Sequence, residues 1–313
     1  GYNVEWSTEL SLAAAYDEYL KAWFLLHAAE ALITEAAPSR PSFTFTMSVG
    51  YDLEGIRLAK MDRFIGRLID SSGEELFERY RRETAELAAR RGLFAGTPWE
   101  PLAPLLGTVA GTVSPRISSS VTLSTMHGCP PGEIESISRY LLEEKRLDTL
   151  VKLNPTLLGY DRVRGILDGL GFGYVQLDRH GFEQDLRYAD AVPMLARLLE
   201  TARRAGRRFG VKLTNTLAAA NTRGLLPGKE MYLSGRALYP LSMAVAADLA
   251  AAFKGRLPVS LSGGVAAWNR ADVRDAGIRP VTLATDLLKP GGYSRLGQLA
   301  EIAEAHAGRG DRA

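Results

Sequence analysis

Residues 259–264 read Val259-Ser260-Leu261-Ser262-Gly263-Gly264, a short run of strand-forming residues that stops on paired glycines. Branched apolar residues alternating with small ones fit a strand buried in a sheet, and the glycines fit its tight exit. Upstream, the same device recurs in Val121-Thr122-Leu123-Ser124, Leu150-Val151-Lys152-Leu153, Tyr174-Val175-Gln176-Leu177 and Val211-Lys212-Leu213-Thr214, and downstream in Val281-Thr282-Leu283-Ala284. Phe43-Thr44-Phe45-Thr46-Met47-Ser48 is an earlier run of the same kind. Helical stretches separate most of them. Strand and helix in alternation give parallel pairing through right-handed crossovers, closed as a barrel or open as a doubly wound sheet. The expectation is an α/β fold, a parallel (β/α)8 TIM-type barrel. Seven runs fall short of the eight a barrel needs, so N-terminal strand sequence is expected upstream of Gly1.

Between these runs the period is helical. From Leu10 to Ile33 apolar residues recur at Tyr16, Leu20, Trp23, Phe24, His27 and Ala31, an amphipathic helix with His27 as a packing residue. Another helical pattern passes through Ile56, Met61, Phe64, Ile65 and Leu68, and a charge-rich one runs from Glu74 to Arg91. Residues 92–119 are dense in Gly, Pro, Thr and Ser without a period and read as a flexible excursion. Residues 1–313 are therefore expected to form one barrel domain, with residues 74–119 as a helical insertion.

The composition narrows the partners. The chain has 313 residues, 46% hydrophobic and 24% charged, and its 38 basic against 36 acidic residues leave a net charge of +2. No global field marks a nucleic-acid or membrane-surface binder, so small molecules and other protein domains are the expected partners. The single cysteine, Cys129, excludes an internal disulfide and an iron–sulfur cluster held by this chain alone, which takes about four thiolates. A reducing, cytoplasmic location follows as the expectation. The most apolar stretch, Ala244 to Phe253, contains Asp248 and falls short of the roughly 20 residues that span a bilayer. The opening Gly1-Tyr2-Asn3, without Met or a leader, reads as an internal piece of a longer protein.

In barrels the chemistry collects on the loops that follow the strands. Those segments here are Thr125-Met126-His127-Gly128-Cys129-Pro130, Asn154-Pro155-Thr156, Asp178-Arg179-His180, Asn215-Thr216, Ser262-Gly263-Gly264 and Thr285-Asp286. Backbone amides of Gly263 and Gly264 can close on phosphate oxygens, with a hydroxyl from Thr285, although Gly-Gly can equally just end a strand. Lys152 and Lys212 lie within apolar strands, where an ammonium is costly unless it meets an anion, a flavin edge or a carboxylate such as Asp178. Asn154 and Asn215 offer donors and acceptors suited to a planar heterocycle. Cys129 can trade a proton with substrate carbon, with His127 on the same loop, or it can be a small buried hydrophobe. No histidine pair has ligand spacing, so no metal is expected.

Leu213-Thr214-Asn215-Thr216, Ser234-Gly235-Arg236-Ala237-Leu238-Tyr239-Pro240-Leu241, Ser262-Gly263-Gly264 and Ala284-Thr285 follow in an order that resembles dihydroorotate and dihydropyrimidine dehydrogenase-like FMN barrels. Gly1 to Leu10, Val121 to Pro131, Val151 to Tyr160 and Ala284 to Tyr293 are more closely similar to a selenate reductase subunit family. The resemblance covers nearly the whole chain. It implies a flavin-dependent oxidoreductase module acting on a small planar heterocycle. Electrons would pass through FAD/NAD(P)H and iron–sulfur domains of the same polypeptide, outside this chain. It also implies that Ser262, Gly263, Gly264 and Thr285 bind the FMN phosphate, with Ser234 and Gly235 approaching from the next loop. Lys152 or Lys212, with Asn154 or Asn215, would face the flavin or substrate. In the relatives the acid–base residue corresponds either to Cys129 or to the Asp178 to Phe182 loop. Two other readings stand beside this one: a barrel without cofactor that serves as a docking scaffold for electron-transfer domains, and a lyase or isomerase that binds a phosphorylated substrate.

Overall fold

The computed structural model describes residues 11–310 apart from 39, 51, 125–127, 223, 225–227 and 289. It comprises two compact units, Gly1–Val121 and Thr122–Ala313.

The first unit is mostly helical. Helix α1 (Leu12–Thr34) begins where Ser11 caps the Ala14 amide at 3.2 Å, and it buries Tyr16, Leu20, Trp23, Phe24, His27 and Ala31 along one stripe. That stripe is aromatic. The Trp23 ring lies 4.6 Å from His27 and 5.1 Å from Phe45, and its Nε1 donates to the Ser114 carbonyl at 2.9 Å. His27 is the packing residue its spacing predicts, and burial pushes its imidazole pKa down. Strand β1 (Phe45–Val49) lies beside β2 (Ser118–Ser124), with the Thr46 and Ser120 hydroxyls 2.8 Å apart.

Two expectations change in this unit. The helix through Ile56 and Leu68 is two helices, Leu53–Arg57 and Ala59–Ile69, because Leu58 adopts ψ 140°. Residues 92–119, read as a flexible excursion, contain helix Leu105–Thr112 with Leu106, Val109 and Ala110 buried. It packs on helix Glu75–Ala89, and Arg81 Nε donates to the Ala110 carbonyl at 3.1 Å. Small residues carry little hydropathy signal yet permit close approach: a Cβ on Gly107 would sit 3.6 Å from Ala88 Cβ.

Strands in the second unit, besides the end of β2, are β3 (Asp148–Leu153), β4 (Phe209–Leu213), β5 (Leu217–Ala220), β6 (Glu230–Leu233) and β7 (Val259–Leu261). They run in the order β2-β3-β4-β7, with β3–β4 and β4–β7 parallel, while β5 and β6 form a separate antiparallel pair. Helices Tyr160–Gly169, Tyr188–Ala205 and Tyr239–Phe253 are the connecting elements, each with a buried apolar stripe. Registers align Lys152 with Lys212 and Lys212 with Ser260, while Leu153, Leu213 and Leu261 align in the next row. Period-two alternation then puts Lys152, Lys212 and Ser260 on one face and the leucines on the other. Leu153, Leu213 and Leu261 are at most 1% exposed. No helix among the described residues is long and apolar enough to cross a membrane.

Two expected strands are not strands. Tyr174–Leu177 is an extended loop whose Gln176 carbonyl accepts from Ala220 N at 2.8 Å. Its alternation is real, but Val175 and Leu177 pack on a side cluster of Val163, Leu167, Leu217, Leu238 and Leu241. Val281–Ala284 is reduced to one parallel bridge, Val281 with Leu261. The β5–β6 pair was not foreseen, because Leu217-Ala218-Ala219-Ala220 lacks β-branched residues.

Gly210 marks the tightest point of the sheet: a Cβ there would meet the Pro258 carbonyl oxygen at 2.6 Å, the acceptor that Val211 N reaches at 2.9 Å. Gly210→Val is expected to push β4 from β7 and cost about 2–3 kcal/mol. The check is urea denaturation, where an unchanged midpoint would contradict the packing.

Candidate functional site at the strand ends

The C-terminal ends of β3, β4 and β7 converge within the second unit. Lys152 and Lys212 stand side by side as register partners. Burial, then the charge of Lys152, pushes Lys212 down to about 8, and burial lowers Lys152 as well. Two half-buried ammonium groups on one face of the sheet can attract an anion or an electron-rich oxygen, which would offset part of the solvation lost on burial. The sequence left open which lysine faces the site. The register brings both to it.

One layer further along, Asn154 is 8% exposed and accepts from Asn215 Nδ2 at 2.7 Å. Asn154 Nδ2 donates to Asp185 at 3.2 Å, Thr156 Oγ1 donates to the same oxygen at 2.7 Å, and Gly128 N donates to the other at 2.9 Å. Asp185 is 4% exposed and lies just past the short helix Arg179–Gln184. Sequence reading missed it. It sits in the charged string Glu183-Gln184-Asp185, where nothing distinguishes the one buried carboxylate from its solvated neighbours.

The glycine loops also meet. Gly264 has φ +73°, and a Cβ on it would lie 2.4 Å from the Gly235 carbonyl oxygen and 2.9 Å from Arg236 Cα. A Cβ on Gly263 would lie 2.0 Å from the Ser242 hydroxyl oxygen. The expected approach of Ser234-Gly235 to Gly263-Gly264 is thus present. The glycines are demanded first by protein packing, since the space a side chain would need is filled by the neighbouring turn and helix. Among the described residues, the N–H groups of Gly263 and Gly264 meet no acceptor, although Gly263 is buried. An unpaired amide in a buried residue calls for a partner.

The Ser262 hydroxyl lies 3.3 and 3.2 Å from the Leu213 and Thr214 carbonyl oxygens, so its donor clasps β4 rather than a ligand. Thr214 and Ser242 hydroxyls meet at 2.9 Å behind the turn, and Asn269, fully buried, donates to the Gly264 carbonyl at 3.1 Å. Ser242 and Asn269, too, had no sequence signal.

Of the acid–base candidates, Cys129 is partly exposed, on the loop after β2. His127 lies outside the described residues. Thr285 opens the short helix Thr285–Leu288. Asp178 caps helix Arg179–Gln184 by accepting from His180 N at 3.0 Å and is exposed. Among the described residues no group of three His, Cys, Asp or Glu could hold a metal ion.

Residues 1–312 match the family described as "Oxidoreductase YgfK, N-terminal TIM-barrel domain". Over 295 residues the chain is 52% identical to "Putative oxidoreductase YgfK" of Escherichia coli strain K12, and equally to the protein of that name in strain O157:H7. The aligned region covers 94% of this chain and 28% of each relative. The chain thus spans little more than a quarter of the length of these relatives.

The lysine pair has a measurable cost. Below pH 8 the folded chain must hold an ammonium at Lys212 that it holds less readily than the unfolded chain, whose value is near 10.5. Folding therefore releases a proton between about pH 8 and 10.5, and stability rises with pH across that window. Lys212→Met is expected to stabilise the ligand-free protein at pH 7 by up to about 3 kcal/mol, the gain fading above pH 8. Denaturant melts at pH 7 and pH 10 check this; a loss of stability at pH 7 would contradict the burial argument.

Proposed function

This chain belongs to the family of oxidoreductase YgfK N-terminal TIM-barrel domains, and from that premise we propose that it is a flavin-dependent redox module that binds FMN at the ends of β3, β4 and β7. Its α/β fold is of the TIM-barrel type. The observation that carries the reading is the convergence of Lys152, Lys212, Asn154 and Asn215 within the same few strand ends as the glycine turn.

The residues fit the cofactor. The Gly263 and Gly264 amides, without acceptors among the described residues, suit a phosphate, with the Ser234-Gly235 turn packed against them and Thr285 at the start of the short helix that follows. Lys152 and Lys212 would hold the ring edge or a substrate anion, and the Asn154–Asn215 pair would orient it. Ser262 ties the end of β7 to β4 and would support the turn that would hold the phosphate. FMN, when bound, supplies hydride or single-electron exchange. Cys129, partly exposed on the loop after β2, would hold or take up the proton that such chemistry moves at a substrate carbon.

The substrate proposed is a small planar heterocycle, matched to two amides beside two cations. A role within a selenate reductase would use the same module, and no strand-end residue is specific for selenate. Electrons would be exchanged with FAD and iron–sulfur domains of the same polypeptide. With Cys129 as its only cysteine, this chain does not supply a cluster's thiolates, and the relatives extend far beyond the aligned region.

Flavin released from the complete protein by denaturation is expected to include about one FMN per chain besides any FAD. Lys212→Met should weaken FMN rebinding to the stripped protein at least about tenfold, the equivalent of one charge-assisted contact. Absence of FMN would favour the docking-scaffold reading.

A further inference from the structure

We infer that Asp185 is a positioning residue that sets the hydrogen-bond polarity of the site: through Asn154 it obliges Asn215 to present its carbonyl oxygen, and so selects a ligand edge carrying an N–H donor. The inference rests on the reading that the strand ends take a planar heterocycle such as a flavin.

Both Asp185 oxygens act as acceptors. Oδ1 takes the Gly128 amide at 2.9 Å, and Oδ2 takes Thr156 at 2.7 Å and Asn154 Nδ2 at 3.2 Å. A carboxylate accepts only, so the Asn154 NH2 must face it. The Asn154 carbonyl then faces Asn215, which must turn its own NH2 inward, the 2.7 Å contact that is present. What remains for a ligand is Asn215 Oδ1, which accepts from no donor among the described residues. The isoalloxazine edge and other cyclic imides carry an N–H between carbonyls: the N–H matches the Asn215 acceptor, and the carbonyls suit the cations of Lys152 and Lys212, which lie two and three residues before Asn154 and Asn215 on the paired strands. The same carboxylate holds Gly128, next to Cys129, so one buried group fixes both the orienting amides and the loop of the proton-handling thiol.

The relay can be inverted without changing its shape. In Asp185→Asn, the new Oδ1 still takes the Gly128 amide while its NH2 faces Asn154. Asn154 then turns over, and Asn215 is left presenting NH2. Adding Asn154→Asp restores an acceptor at position 154 for both neighbours, so Asn215 returns to its original orientation. A residue that merely fills space would not respond to this exchange.

The test titrates FMN into the flavin-stripped complete protein. Asp185→Asn is expected to weaken FMN at least about tenfold, and the Asp185→Asn/Asn154→Asp exchange to recover affinity to within about threefold of wild type. Unchanged affinity in the single variant, or no recovery in the double, overturns the inference. A flavin-free measurement separates it from the cofactor reading. Asn154→Asp alone sets two carboxylates in contact and should lower the melting midpoint of this domain by several degrees, and adding Asp185→Asn should restore it. If wild type takes no FMN, the flavin reading falls alone; rescue of the midpoint still supports the relay, and its failure overturns it.

Discussion

Two ammonium groups held side by side within an apolar sheet are the constraint on which the site depends. The β3–β4 register leaves no freedom here: with Val151 opposite Val211 and Leu153 opposite Leu213 buried on one face, Lys152 and Lys212 must share the other. A one-residue slip of β4 would turn Lys212 onto the face of Leu153 and Leu261 and Leu213 onto the other. Proximity and burial then act in one direction, each making the protonated pair harder to keep. Folding alone gains nothing from such an arrangement. Under the proposed reading, an anionic or carbonyl-rich ligand would offset the burial cost at Lys212.

The surrounding packing keeps that pair at a fixed distance from the glycine turn. Ser262 clasps the end of β4, the Thr214 and Ser242 hydroxyls meet behind it, and Asn269 holds the Gly264 carbonyl. Gly263 and Gly264 allow the turn to sit on Ser242 and Gly235 with no side chain between. Rigidity of this kind is what a binding site needs, since a shift of about 1 Å can cost a large factor in affinity or rate. The glycine turn inherits its placement from packing that has nothing to do with a ligand.

Much of this was legible in the residues. Val211-Lys212-Leu213 and Val259-Ser260-Leu261 announced parallel strands because β-branched residues and polar exits coincide there, and the position of the lysines inside them pointed to the site. Tyr174-Val175-Gln176-Leu177 carried the same alternation and was misleading, since alternation reports two faces and not the presence of hydrogen-bonded neighbours. Leu217–Ala220 gave the opposite error: its pairing with Glu230–Leu233 comes from tertiary context that alanine does not advertise. Asp185, Ser242 and Asn269 were invisible for a related reason. Each matters through partners distant in sequence, as the 31 positions between Asn154 and Asp185 illustrate.

A structure of the complete protein with bound FMN tests the central claim most directly. The account predicts phosphate density within hydrogen-bonding distance of the Gly263 and Gly264 amides, and the ring edge between the Lys152–Lys212 pair and Asn215. FMN density elsewhere in the protein, with these strand ends vacant, would contradict it.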